Sequence, residues 1–161
     1  MTLPSVACQP HDHTHCIHSA MTAAEHICDR DGARLTPLRR RVLELVWSSH
    51  RPLGAYEILA ILSQEEGRNA APPTVYRALD FLLERGLVHR LTSLNAFAGC
   101  AYPGERHPGH FLICRQCRNA IEMHDSRIGT AVQDAAQAAD FLIEEHTVEV
   151  QGICSGCRGA A

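Results

Sequence analysis

The sequence predicts an α+β fold: an N-terminal winged helix-turn-helix unit followed by a small α/β domain pinned by four cysteines. Three observations predict it. Amphipathic helical stretches between residues 36 and 85 give way to two short strand-like runs at 87–91 and 96–102. A Gly/Pro/His-rich connector, 103–109, then separates the two halves. The second half carries Cys114-x-x-Cys117 and Cys154-x-x-Cys157, each following a strand-like run.

The elements follow in order. Residues 1–19, with Pro4, Pro10 and a dense His/Cys cluster, read as a flexible tail. MTAAEHICDRD suits a short helix over about 20–30, ended by Gly32. Thr36 and Pro37 open the next helix as N-cap and first helical residue. Leu38, Val42, Leu45 and Val46 fall on one face of it, and Pro52 stops it. A third helix spans about 55–65, with Ile58, Leu59, Ile61 and Leu62 as core candidates. After a loop at 67–73, a fourth runs from Thr74 to Arg85, inward at Val75, Leu79, Leu82 and Leu83, and is stopped by Gly86. The strand pair completes a winged-helix unit over 20–102, joined by a hinge at 103–109 to a domain over 110–161. Within that domain, strands are expected at 110–114, 120–124 and 147–151, with a helix at 126–139.

Composition narrows the possibilities. The chain has 161 residues, 45% hydrophobic and 20% charged, the balance of a folded domain or two small ones. No run of about 18 apolar residues occurs. The first residues have neither the basic start nor the apolar core of a signal peptide, so a cytoplasmic protein is expected. All fifteen basic residues are Arg and the net charge is -3. Nucleic-acid affinity therefore needs a local positive surface, which Arg34, Arg39, Arg40, Arg41 and Arg51 supply against Glu44 alone. Eight Cys and eleven His in a reducing compartment suit zinc rather than disulfides.

Three constellations carry chemistry. Two CxxC pairs offer four thiolates to one tetrahedral ion, a closed and therefore structural site. His89, Cys100, His107, His110, Glu122, His124 and His146 all flank the domain boundary. Ligands drawn from both sides of a hinge let a metal close it, although spacing alone does not choose among them. On the fourth helix, Thr74, Tyr76, Arg77 and Asp80 stay outside the buried stripe. Helix-turn-helix geometry sends that helix into the major groove, where Arg pairs with guanine and apolar carbon packs on thymine methyl. Cys8, His11, His13, His15, Cys16 and His18 read as a tail with incidental metal affinity, and Cys28 as a small buried residue. No GxSxG, HExxH or P-loop motif is present, so no enzyme is expected.

AEHICDRDGARLTPLRRRVLELVW, PPTVYRALDFLLERGLVHRL, HFLICRQC and GICSGC together resemble the ferric uptake regulator family, over roughly residues 22–158, and within it the zinc-responsive branch. The resemblance implies a winged-helix DNA-binding domain hinged to an α/β dimerisation domain. It implies a homodimer that binds inverted-repeat operators in double-stranded DNA and represses zinc-uptake genes when zinc is replete. It assigns DNA contact to Tyr76 and Arg77, beside Thr74. It assigns structural zinc to Cys114, Cys117, Cys154 and Cys157, and regulatory zinc to His89, Cys100, His107 and Glu122, about two zinc ions per chain. HPGH departs from the denser histidine run of many iron regulators, and a further site at His110, His124 or His146 stays open. The rival readings are an iron or peroxide sensor of the same family, a DNA-binding protein with purely structural zinc, and a zinc hydrolase using Glu122.

Overall fold

The computed structural model describes residues 12–66, 71–104 and 106–159. The first helix, α1 (His13–Arg30), begins well before the expected Ala20. Asp12 caps it, accepting the Thr14 N–H at 2.8 Å. Ile17, Ala20, Met21, Ala24, Ile27 and Cys28 recur at helical spacing and pack on the core, so the face that holds the helix in place starts inside the His/Cys run. Cys8 and His11 lie outside the described residues.

Thr36 caps α2 (Pro37–Trp47) with Pro37 in its first turn, as the sequence predicts. Then come α3 (Ala55–Glu66) and α4 (Pro72–Glu84). α4 starts two residues before Thr74 because two prolines occupy its first positions, where a missing N–H costs nothing. Gly86 follows it at φ +63°, the left-handed turn that ends a helix. Val42, Leu43, Ile58, Val75, Leu79 and Leu82 are fully buried between α2, α3 and α4. Each contributes about 1.5–3 kcal/mol through burial.

β1 (Val88–Leu91) and β2 (Ala96–Gly99) pair antiparallel as the wing. β2 ends at Gly99, shorter than expected: the Cys100 N–H still meets the Leu87 carbonyl in register at 3.0 Å, but the Leu87 N–H turns back to the Leu82 carbonyl at 2.9 Å and the ladder stops there. A Cβ on Gly99 would lie 2.2 Å from the Trp47 ring, so only glycine lets α2 and the wing approach this closely.

The second half is a three-stranded sheet in the order β4-β3-β5. β3 (Gly109–Cys114) pairs antiparallel with β4 (Ala120–Glu122) and parallel with β5 (Thr147–Gly152). The helix α5 (Ser126–Ala138) crosses between β4 and β5, and a single turn, α6 (Ser155–Arg158), closes the chain. The two halves meet through an apolar cluster of Leu91, Phe111, Ile113 and Ala120. Polar ties reinforce it: the Ala120 N–H reaches the His50 carbonyl at 3.0 Å, and Glu149 accepts the Thr92 and Ser93 N–H groups.

The expected basic patch is largely neutralised. Arg40 pairs with Glu25, Arg41 with Glu44 and Glu65, and Arg51 with Glu57, while Arg39 stacks 3.6 Å from the Phe81 ring. Glu25 on α1 and Glu65 on α3 are distant enough in sequence that local charge counting misses them.

Candidate metal centres and the exposed recognition helix

The four-cysteine cluster follows from strand register. β5 runs parallel to β3 with Gly152 beside Cys114, so the chain just beyond β5 delivers Cys154 to the first pair. A turn after β3, with Arg118 at φ 63° and its N–H on the Cys114 carbonyl, folds Cys117 back. Cys154 caps α6, which returns Cys157. All four sulfurs lie within 4.8 Å of one another, with Cys117 and Cys154 at 3.8 Å. Ligands of tetrahedral zinc at bond lengths near 2.3 Å stand about 3.8 Å apart, so the cluster fits that ion. The Cys154 N–H points at the Cys114 sulfur at 3.4 Å, and with the Cys117 N–H it draws that thiol down to about 6. A thiol that ionises this readily is poised for a cation. Among the described residues no cysteine is in a disulfide.

The second cluster gathers His89 from β1, Cys100 from the residue after β2, His107 from the connector and Glu122 from the end of β4. These are the four residues that the family resemblance selects from the looser histidine-rich set. Glu122 is buried, yet it faces two imidazoles: His107 Nε2 at 2.7 Å and His89 Nε2 at 2.9 Å from the same oxygen. Its other oxygen accepts the Ala101 N–H at 2.7 Å. Burial works to raise the Glu122 pKa, but His89, the Ala101 N–H and His107 together outweigh it and hold the carboxyl below its ordinary range. The buried His89 Nε2, although close to the carboxylate, is off hydrogen-bond alignment and makes no hydrogen bond. Cys100 Sγ lies 3.7 Å from His107 Nε2. Burial and the Glu122 charge push the Cys100 thiol up to about 12. A buried anion, two imidazole nitrogens and a thiol converging within 4.8 Å make a donor set that fits zinc.

The remaining histidines divide. His110 Nε2 and His146 Nε2 meet at 3.3 Å, His110 being buried on β3. His124 instead stacks against Tyr102 at a ring distance of 4.5 Å and does not join them. On α4 the buried stripe leaves Thr74, Tyr76, Arg77 and Asp80 exposed together, with Tyr76 at 42%. A further cluster, His13, Cys16 and His50, was not foreseen. The His/Cys tail was its only signal, and nothing in the sequence links that tail to His50.

Comparison with known proteins agrees with this geometry. The ferric uptake regulator family matches residues 30–151. The zinc uptake regulation protein of Escherichia coli K12 is 35% identical over 138 residues, 85% of this chain and 80% of that protein. A solved zinc uptake regulator complexed with zinc and DNA superposes with a TM-score of 0.83 at 33% identity, covering 89% of this chain and 96% of its own. Holo XcZur gives 0.79 at 42% identity over 89% and 99% of the two chains, whereas apo XcZur gives 0.51 at 41% over 88% and 97%. At similar identity and coverage, this chain superposes more closely on the holo structure than on the apo one. The chain belongs to the ferric uptake regulator family.

Proposed function

We propose that the chain is a zinc-responsive transcriptional repressor of zinc-uptake genes, acting in the cytoplasm as a homodimer on inverted-repeat operators. The observation that carries the reading is the cluster of His89, Cys100, His107 and Glu122, which spans the connector of a chain arranged like a zinc- and DNA-bound regulator. The thiol at Cys100 favours zinc over ferrous iron or the harder cations.

Residues 103–109 serve as the hinge between a DNA-binding domain ending at 102 and a dimerisation domain starting at 110. Zinc held by the four hinge donors supplies a link between the wing and β4. His89 and Cys100 report the position of the wing, and Glu122 that of the sheet. Cys114, Cys117, Cys154 and Cys157 hold the structural zinc that clips the end of the chain onto β3. Thr74, Tyr76 and Arg77 face the major groove, Arg77 reading a base edge. α5 buries no side chain, and Phe141, Leu142, Val150 and Ile153 are exposed, an apolar face suited to a second copy of the chain. Two-fold pairing matches an inverted repeat.

The test is Cys100→Ser, titrated against an operator selected from the host genome in buffered zinc. The variant keeps its four-cysteine zinc and its dimer but loses zinc-stimulated DNA binding. Normal zinc dependence in that variant overturns the assignment.

A further inference from the structure

We propose that His13, Cys16 and His50 form a third metal site, for a divalent cation of the zinc class, which ties the start of α1 to the end of α2. The site shares no residue with the two clusters above.

Three observations support it. First, α1 begins at His13, so His13 and Cys16 stand one turn apart on the same helical face instead of on a loose tail. Second, His50, in the segment after α2, meets that face: the His13 and His50 rings are 5.0 Å apart, and Trp47 flanks His50 edge-on at 6.4 Å. One donor atom from each residue lies within 4.8 Å of the others, against about 3.3–3.6 Å around tetrahedral zinc. Small side-chain rotations close that gap without moving the helix. Third, all three residues are half-buried, and a cleft lined by Asp12, His15, Cys16, Trp47 and His50 gives an ion access to Cys16 and His50.

The donor chemistry sets the ligand class. Two imidazoles and a thiol, with no carboxylate among the three, select zinc or cobalt over magnesium and calcium. Three protein donors leave one tetrahedral position for water. This site therefore binds more weakly than either four-donor cluster and fills last, at the top of the zinc range.

Its position gives it a consequence. The His50 carbonyl accepts the Ala120 N–H on β4, two residues from Glu122. Fixing His50 steadies the junction between the helical half and the sheet, beside the hinge donors. An additional ion at high zinc thus favours the same closed arrangement that the hinge ligands favour.

The experiment is metal titration of the full-length dimer, read as bound metal per chain and by the thiolate-to-cobalt charge-transfer band. The intact protein binds three metals per chain at saturation, one for each cluster. Cys16→Ser and His50→Gln each bind two. With the four cysteines loaded with zinc and Cys100→Ser removing the hinge thiolate, cobalt still produces a charge-transfer band. That band disappears when Cys16→Ser is added and persists when Cys8→Ser is added. Hydrogen exchange at the start of α1 slows on saturation in the parent protein and not in Cys16→Ser. Two metals per chain in the intact protein, or a third that survives both Cys16→Ser and His50→Gln, overturns the proposal. Equal melting of the variants before metal addition shows that the loss is of ligation and not of fold. Because the hinge assignment is read from Cys100→Ser alone, the two readings fail separately.

Discussion

Replacing Glu149 with alanine removes the clamp between the wing and the sheet. In the closed arrangement this carboxylate accepts the Thr92 N–H at 2.7 Å on one oxygen and the Ser93 N–H at 3.0 Å on the other. A hydrogen bond to a charged acceptor is worth about 1.5–3 kcal/mol net, and at this solvent-washed turn about 1 kcal/mol each is the fair figure. Losing both costs about 2 kcal/mol, or about 30-fold in the ratio of closed to open chains at 1.4 kcal/mol per tenfold. If zinc binds the closed form better, as the proposed function requires, the loss appears as a rise of up to about 30-fold in the free zinc needed for half-maximal operator binding. At saturating zinc the deficit shrinks, because the hinge donors then hold the closed form without the clamp. The assay is fluorescence anisotropy of a labelled operator across buffered zinc concentrations, with melting of the zinc-loaded dimer as the control for folding. Glu149→Gln keeps one acceptor oxygen and falls between the two. A Glu149→Ala curve that superimposes on the parent would refute the clamp.

Other outcomes follow from the same geometry. Gly99→Ala drives a methyl into the Trp47 ring, and overpacking of this kind costs about 1–3 kcal/mol, read as a lower urea midpoint at unchanged slope. Arg77→Ala, exposed on α4, weakens specific operator binding by about 1–3 kcal/mol while zinc content and dimerisation stay as they were. Cys114→Ser removes one ligand of a closed set and leaves the others without their ion. The variant loses one zinc per chain by elemental analysis and aggregates, and a soluble dimer with full zinc content would contradict the structural role.

Much of the architecture was legible because local chemistry dictates it. Thr36 and Pro37 start α2 wherever the rest of the chain goes, and the Val75, Leu79, Leu82 stripe leaves α4 only one way to face the core. The CxxC pairs mark a candidate tetrahedral metal site through spacing alone. The hinge donors were visible as residue types near the boundary, but periodicity could not select His107 over His110. That choice depends on which side chains point across the junction, a property of the folded chain, and the family resemblance made it. What stayed hidden is long-range in every case. The arginines of α2 look like a free positive surface until Glu25 and Glu65 fold against them. The tail reads as polar and shapeless because its histidines mask Ile17, the residue that anchors the first turns of α1 on the core. Glu149 looks like any exposed strand carboxylate until the wing arrives above it.

The apolar cluster of Leu91, Phe111, Ile113 and Ala120 gives the hinge a thermal character. Were the two halves to part at the proposed hinge, that surface would be wetted, so closure would lower the heat capacity and its apolar driving force would fade as the temperature falls. On the proposed hinge reading, the apolar share of closure would therefore weaken on cooling, while the ligand bonds, with an enthalpy of their own, follow a different temperature course.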